Sequence, residues 1–190
     1  VFRDGRYIAA AGQSFRDFMG GKLPALPGER PTITDWANHL TTLFPDVRLK
    51  KVLEMRGADA GTAPMLQALP AFWVGLLYDD GAREAAWAIM KGWSAEARRR
   101  LHDEVPRSGL QTEIGGQTAN DIARALVILS QQGLRRRARL RDGAVAEDRY
   151  LEPLLDIVES GRNASDDYIM DLDGKLNAAA FFEQCRLKAE

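Results

Sequence analysis

The sequence predicts an α+β chain that is mostly helical, with a small amount of antiparallel sheet at its front and a helical tail. Three observations carry that prediction. Asp4-Gly5 is a favoured tight-turn pair between two short extended runs. Val47 to Arg56 alternates with a period of two. After Gly57, apolar residues recur at helical spacing to the end of the 190 residues.

In order along the chain, residues 1–11 offer one or two short strands around Asp4-Gly5. Ser14 is a good N-cap for a helix from Phe15 to Met19, which Gly20-Gly21 stops. Two prolines and a glycine exclude regular structure from Lys22 to Gly28. Thr34 is expected to cap a second helix, with Asp35 in its first turn and Trp36, Leu40 and Leu43 on one face, ending before Pro45. One strand is expected over 47–56. Further helices are expected over 64–78, 81–92, 94–103, 117–138, 148–160 and 165–188. Gly115-Gly116 reads as a helix stop, and Ser94 and Ser165 as helix starts. No internal repeat or low-complexity run is present. Val1 leads straight into an extended run, so the chain reads as the later segment of a longer protein.

A formal charge of −1 gives no overall pull toward nucleic acid or an acidic membrane. The single cysteine, Cys185, cannot form an internal disulfide and favours a reducing compartment. The strongest apolar run, Ala71 to Tyr78, is far shorter than the roughly 20 residues of a membrane-spanning helix. With no signal-peptide pattern, the expectation is a cytoplasmic protein with neither nucleic-acid nor membrane partners. The Arg-rich run Leu134 to Arg141 is explained mainly by favourable cations at a helix C-terminus, with acidic residues following at once. His39 lies on an amphipathic helix and reads as structural; His102, beside Asp103, reads as solvated. No His/Cys cluster has metal-site spacing, and neither Gly-Gly pair is followed by the Lys-Ser/Thr of a phosphate loop. The stripes Leu126, Ile128, Leu129 and Leu151, Leu154, Leu155, Val158 read as core, and any left uncovered could drive self-association.

The informative segment is 47–56. Val47, Leu49, Leu53 and Met55 fall on one face, and Arg48, Lys50, Val52, Glu54 and Arg56 on the other. Same-face neighbours on a strand lie about 7 Å apart. Three cations and one carboxylate on one face are costly to bury without an anionic partner. That face is therefore either solvated, as many antiparallel sheets are, or turned toward something strongly anionic. A nucleoside triphosphate with a divalent metal suits the second case: a carboxylate holds Mg²⁺ and arginine forks bind phosphate oxygens. Pattern alone does not choose between them.

Asn38-His-Leu-Thr-Thr-Leu-Phe-Pro-Asp-Val-Arg-Leu-Lys-Lys-Val-Leu-Glu-Met-Arg-Gly-Ala-Asp59 strongly resembles the recurrent block of glutamate–cysteine ligases of the plant and proteobacterial type. Ser14-Phe-Arg-Asp-Phe-Met19, Gly21-Lys-Leu-Pro-Ala-Leu-Pro-Gly-Glu29 and Ala68-Leu-Pro-Ala-Phe-Trp-Val-Gly-Leu-Leu-Tyr-Asp79 are similar to that family as well. The likeness is specific over residues 1–80, thins through 80–150, and beyond 150 rests on position.

The resemblance implies a C-terminal part, residues 1–190, of one larger catalytic domain. Residues 1–60 would be its strand-containing active-site part and 61–190 its helical part. The sheet would be a remnant of the curved antiparallel active-site sheet of a glutamine-synthetase-like ligase. It implies ATP and Mg²⁺ as cofactors, glutamate and cysteine as substrates, and the missing N-terminal half of the same enzyme as partner. Carried over, Glu54 would ligate metal and Arg56 would bind ATP phosphate as the catalytic residue. Lys50 and Arg48 would add positive potential to the nucleotide site. Asp59 either orders the Gly57 turn or touches metal. The chain departs from the family where Ala60-Gly-Thr-Ala-Pro-Met65 replaces Gly-Gly-Pro-Trp-Arg-Arg, and where Val52 replaces a tyrosine. Ala25 and Gln67 stand where plant enzymes carry redox-regulating cysteines, so no such disulfide switch is expected. Alone, the 190 residues are expected to be inactive. The alternatives are a non-catalytic helical interaction module that kept the fold, and a related carboxylate–amine ligase with another amine acceptor.

Overall fold

The computed structural model describes residues 1–59, 61–141, 144–171 and 178–186. It divides into two units, Val1–Ala58 and Asp59–Glu190. The class is α+β and mostly helical, and its strands pair as separate two-stranded antiparallel sheets.

In the first unit, β1 (Phe2–Arg3) and β2 (Arg6–Tyr7) form a hairpin. Asp4 and Gly5 both take positive φ, 48° and 77°, as the right-handed twist of a two-residue hairpin requires. Ser14 caps α1 (Phe15–Met19) by accepting from the Asp17 amide, and Gly20 ends it, as expected. The turns after α1 fold Leu23 and Leu26 back onto Phe18, and these three form the buried core of this unit.

α2 (Ile33–Thr41) begins two residues earlier than the sequence reading, with Thr32 and not Thr34 as its cap. The reason is a capping box. Thr32 Oγ1 accepts from the Asp35 amide, while the Asp35 carboxylate accepts from the Thr32 amide at 2.8 Å. The same carboxylate takes a bidentate fork from Arg3, both contacts at 2.9 Å. Arg3 hydrogen bonding holds the Asp35 carboxyl well below the usual range, against the opposing effect of its burial. One aspartate thus fixes the start of α2 and ties it to β1. His39 stacks on the Phe15 ring with centroids 4.5 Å apart, the structural role expected of it.

The predicted single strand over 47–56 is instead a hairpin, β3 (Val47–Leu49) and β4 (Leu53–Met55). The chain reverses over Lys50–Val52, where the Lys50 amide donates to the Val52 carbonyl at 2.9 Å. No glycine, proline or asparagine marks this reversal, and that is why alternation alone read through it.

The second unit holds α3 (Ala63–Leu77), α4 (Asp80–Met90), α5 (Ala95–Ser108), β5 (Glu113–Ile114), β6 (Gln117–Thr118), α6 (Ala119–Arg137), β7 (Leu140–Arg141), β8 (Ala144–Ala146), α7 (Glu152–Ser160), α8 (Ala164–Asp171) and α9 (Ala178–Cys185). Two 3-10 turns, Gly109–Gln111 and Glu147–Leu151, precede β5 and α7. α6 is the central helix, packing on α3, α4, α7 and both 3-10 turns.

The contact between α3 and α6 is unusually close. A Cβ placed on Gly133 would stand 2.0 Å from the Gly75 carbonyl oxygen, and one on Gly75 would stand 2.3 Å from the Ser130 carbonyl oxygen. Only glycine lets the two backbones meet there. Ser130 Oγ donates to the Phe72 carbonyl at 2.9 Å, so the buried hydroxyl is satisfied inside the same crossing. The fully buried side chains around this crossing include Ala68, Leu134 and Leu151. Asp79 caps α4 through the Ala82 amide and receives a bidentate fork from Arg136 of α6, at 2.9 and 2.7 Å. These bonds, the Arg136 fork foremost, lower its pKa to about 2.

Several boundaries differ from the sequence reading. α5 continues through Pro106 to Ser108; it has no buried residue, so water reaches the carbonyl that proline leaves unbonded. Gly115-Gly116 is a hairpin turn, φ 62° and 80°, between β5 and β6, and α6 then starts from a Thr118–Asp121 capping box. The 148–160 helix is a 3-10 turn followed by α7, with proline in the first turn of α7. Within the expected 165–188 helix the described residues hold α8 and α9, and its segments 172–177 and 187–188 lie outside the described residues. On α6 the buried positions are Ile122, Val127, Ser130, Gly133 and Leu134, whereas Ile128, expected in the core, is 41% exposed. The close backbone approach demands small residues only at the crossing itself, at Ser130 and Gly133, and the buried aliphatics on α6 are Ile122, Val127 and Leu134.

Two outcomes test this packing. Gly133→Ala should destabilise the second unit by about 3 kcal/mol, since a backbone must move to admit the methyl group, read as a lower urea midpoint by circular dichroism. Because the Asp79 pKa is lower folded than unfolded, its contribution is full above about pH 4 and lost as pH falls toward 2. The stability gap between the native chain and Asp79→Asn should therefore close over that same interval of pH.

Candidate functional site

The β3–β4 hairpin positions the site. Its register pairs Val47 with Met55, Arg48 with Glu54 and Leu49 with Leu53. Cross-strand partners share a face, so the predicted polar face survives the reversal of the chain, but its geometry changes. Arg48 and Glu54 are directly opposite each other rather than strung along one strand.

Arg48 directs both Nε and Nη2 at Glu54 Oε2, each at 2.9 Å. Arg56 Nη1 approaches the other oxygen, Oε1, at 3.3 Å, and Lys50 Nζ stands 3.7 Å from Oε2. Three of the residues nominated from the sequence thus converge on the carboxylate of the fourth, Glu54. The Arg48 hydrogen bond is the main reason the Glu54 pKa is lowered, with smaller contributions from the charges of Arg48, Lys50 and Arg56, while partial burial opposes the shift.

Two neighbours outside the nominated set support Arg56. Its amide donates to the Asp46 carbonyl at 2.7 Å, extending the ladder past β4. Its guanidinium lies over the Phe44 ring, 5.5 Å from the centroid. Phe44 had no signal in the sequence pattern, because it precedes Pro45 and belongs to neither periodic run. Gly57 packs against the Asp46 side chain.

Three cations and one carboxylate leave a local charge of +2. The other face of the hairpin is open: Val47, Leu49 and Leu53 are 49%, 79% and 58% exposed. Among the described residues there is no group of three or more His, Cys, Asp or Glu able to hold a metal ion, and no helix is long and apolar enough to cross a membrane. Three arginines of the Arg-rich run form ion pairs: Arg135 with Asp148, Arg136 with Asp79 and Arg137 with Glu147. His102 is exposed beside Asp103.

A family model described as glutamate-cysteine ligase family 2 matches residues 3–179. The chain belongs to that family. It is 47% identical over 161 residues to a chloroplastic glutamate–cysteine ligase of Solanum lycopersicum, covering 85% of this chain and 30% of the relative. It is 50% identical over 147 residues to chloroplastic glutamate–cysteine ligase A of Oryza sativa subsp. indica, covering 77% and 30%. The corresponding enzyme of Arabidopsis thaliana is 44% identical over 161 residues. The chain therefore spans about a third of the length of these family members.

The names of these relatives overturn the cytoplasmic expectation, since each is chloroplastic. That expectation leaned on a lone cysteine, and cysteine usage separates reducing from oxidising surroundings without telling one reducing compartment from another.

The geometry makes a direct prediction. In a carbon-detected NMR titration, the Glu54 carboxylate should ionise below its ordinary value of 4.5. Arg48→Gln should return it toward that value by more than Lys50→Gln or Arg56→Gln does. An unmoved midpoint in Arg48→Gln would contradict the pairing.

Proposed function

We propose that this chain is the C-terminal segment of one larger catalytic domain of an ATP-dependent ligase. Residues 1–60 would provide its strand-containing active-site part and 61–190 its helical part. The reaction joins the γ-carboxylate of glutamate to the amine of cysteine, the step that commits both to glutathione synthesis. The observation that carries the reading is the convergence of Arg48, Lys50 and Arg56 on one carboxylate, in a chain of the glutamate–cysteine ligase family.

A γ-carboxylate oxygen attacks the γ-phosphorus of ATP, the bond to the bridging oxygen breaks, and ADP leaves. The cysteine amine then attacks the acyl carbon, the bond to phosphate breaks, and the amine proton passes to solvent. Neither step asks the protein for a covalent bond. Both ask for fixed positive charge at the phosphate oxygens and for reactants held in line. Arg56 grips the transferred phosphoryl group, and Arg48 and Lys50 take neighbouring phosphate oxygens. Guanidinium forks suit this better than ammonium groups because they bind two oxygens in one plane.

Glu54 alone, ringed by cations, is a poor metal site, because three positive charges repel a divalent ion. With a triphosphate drawing those cations away, one carboxylate plus phosphate oxygens and water makes an ordinary Mg²⁺ set. Glu54 would hold Mg²⁺ in that state, where the ion supplies neutralisation of the phosphate charge.

The test is phosphate release by the intact enzyme, which should require ATP, glutamate and cysteine together. Arg56→Gln should lower kcat/KM by about 100-fold or more, and Arg56→Lys should recover little of it. Glu54→Gln should lower kcat comparably with little change in thermal midpoint. Near-normal turnover in all three variants would move the chemistry away from this hairpin.

A further inference from the structure

We infer that Glu54 is the resident anion of this face: it holds Arg48, Lys50 and Arg56 converged before nucleotide arrives, and is exchanged for phosphate oxygens as nucleotide binds. The inference rests on the phosphate-binding reading above and adds an ordering of contacts to it.

Both Glu54 oxygens are already engaged, Oε2 by Arg48 and Lys50 and Oε1 by Arg56. Each contact is a charge-assisted bond that an incoming phosphate oxygen would replace in kind. The cluster remains reachable from solvent. The side chains of Arg48, Arg56 and Glu54 are 27%, 28% and 35% exposed, so exchange needs side-chain rotation and no opening of the fold. The like charges also explain why an internal anion is needed. Arg48 lies on β3, Lys50 opens the turn that follows, and Arg56 comes just after β4, and all three reach the one carboxylate. Without Glu54 the three would repel and spread into water until a phosphate gathers them, a smaller cost to nucleotide than the competition from the Glu54 charge.

An internal anion has a cost and a return. It competes with metal-free nucleotide for the same guanidinium groups, which weakens that complex. Once displaced, it becomes free to take a divalent cation, which strengthens the metal–nucleotide complex. Removing the Glu54 charge should therefore change affinity in opposite directions under the two conditions. A carboxylate that merely lowered local potential would weaken both complexes, and one serving only as a metal ligand would leave the metal-free complex unchanged.

Equilibrium binding of ATP to the intact protein, once in EDTA and once with excess Mg²⁺, reads this directly. Glu54→Gln should bind metal-free ATP about fivefold more tightly than the native protein and Mg-ATP about tenfold more weakly. Asp17→Asn, which removes an exposed carboxylate of α1, should change neither by more than about twofold. Should Glu54→Gln fail to fold, Glu54→Asp serves, since one methylene less reaches fewer cations and should tighten metal-free ATP by a smaller factor. Unchanged or weaker metal-free binding in a folded variant overturns the exchange while leaving the phosphate site standing. No ATP binding by the native protein overturns both.

Discussion

A carboxylate that leaves bulk water must be paired, and in this chain the partner is repeatedly an arginine fork that also joins two stretches of sequence. Asp35 caps α2 and receives Arg3 from β1. Asp79 caps α4 and receives Arg136 from α6. Glu54 on β4 receives Arg48 from β3. In the first two, the carboxylate also accepts at a helix start, from the Thr32 amide and hydroxyl for Asp35 and from the Ala82 amide for Asp79, so its work is architectural. Glu54 has no helix to cap. Its pairing is entirely with cations that protrude from a partly open surface, and that difference separates a structural ion pair from one a ligand can enter.

The glycine contact between α3 and α6 illustrates a second kind of constraint. Gly75 and Gly133 admit a backbone-to-backbone approach that no side chain could share, and Ser130 closes it with a hydrogen bond rather than with apolar bulk. The buried seam of α6 therefore mixes the small residues Ser130 and Gly133 with Ile122, Val127 and Leu134, while Ile128 faces outward.

What could be read in advance follows from these distinctions. Ser14 with Asp17, the Asp4-Gly5 turn and the Gly20 stop depend on contacts within a few residues, and local sequence carried them. The start of α2 was misplaced because Thr32 and Thr34 are equally good caps in isolation, and the capping box with Asp35 three residues on favours Thr32. The reversal at Lys50–Val52 and the turn at Gly115-Gly116 were missed because pairing between neighbouring short strands is a property of two segments at once. The site residues themselves were legible as types and as a face, since period two survives a hairpin in which Arg48 stands opposite Glu54. Their mutual distances were not, and Phe44 beneath Arg56 left no trace in any periodicity.

That hairpin has a further property. A strand pair usually keeps its register because one face is buried, and a slip of one residue would expose it. Here Val47, Leu49 and Leu53 are about half or more exposed, so apolar burial holds the alignment only weakly, and the backbone ladder is helped by the charges meeting at Glu54. A slip by one would turn Glu54 to the side of the leucines and dissolve the cluster in a single move. The local fold and the proposed recognition of an anion would then draw on the same few contacts. The solvent-facing turn Lys50–Val52, ordinarily among the most permissive places in a protein, supplies one of them through Lys50, so sequence drift there is coupled directly to the cluster.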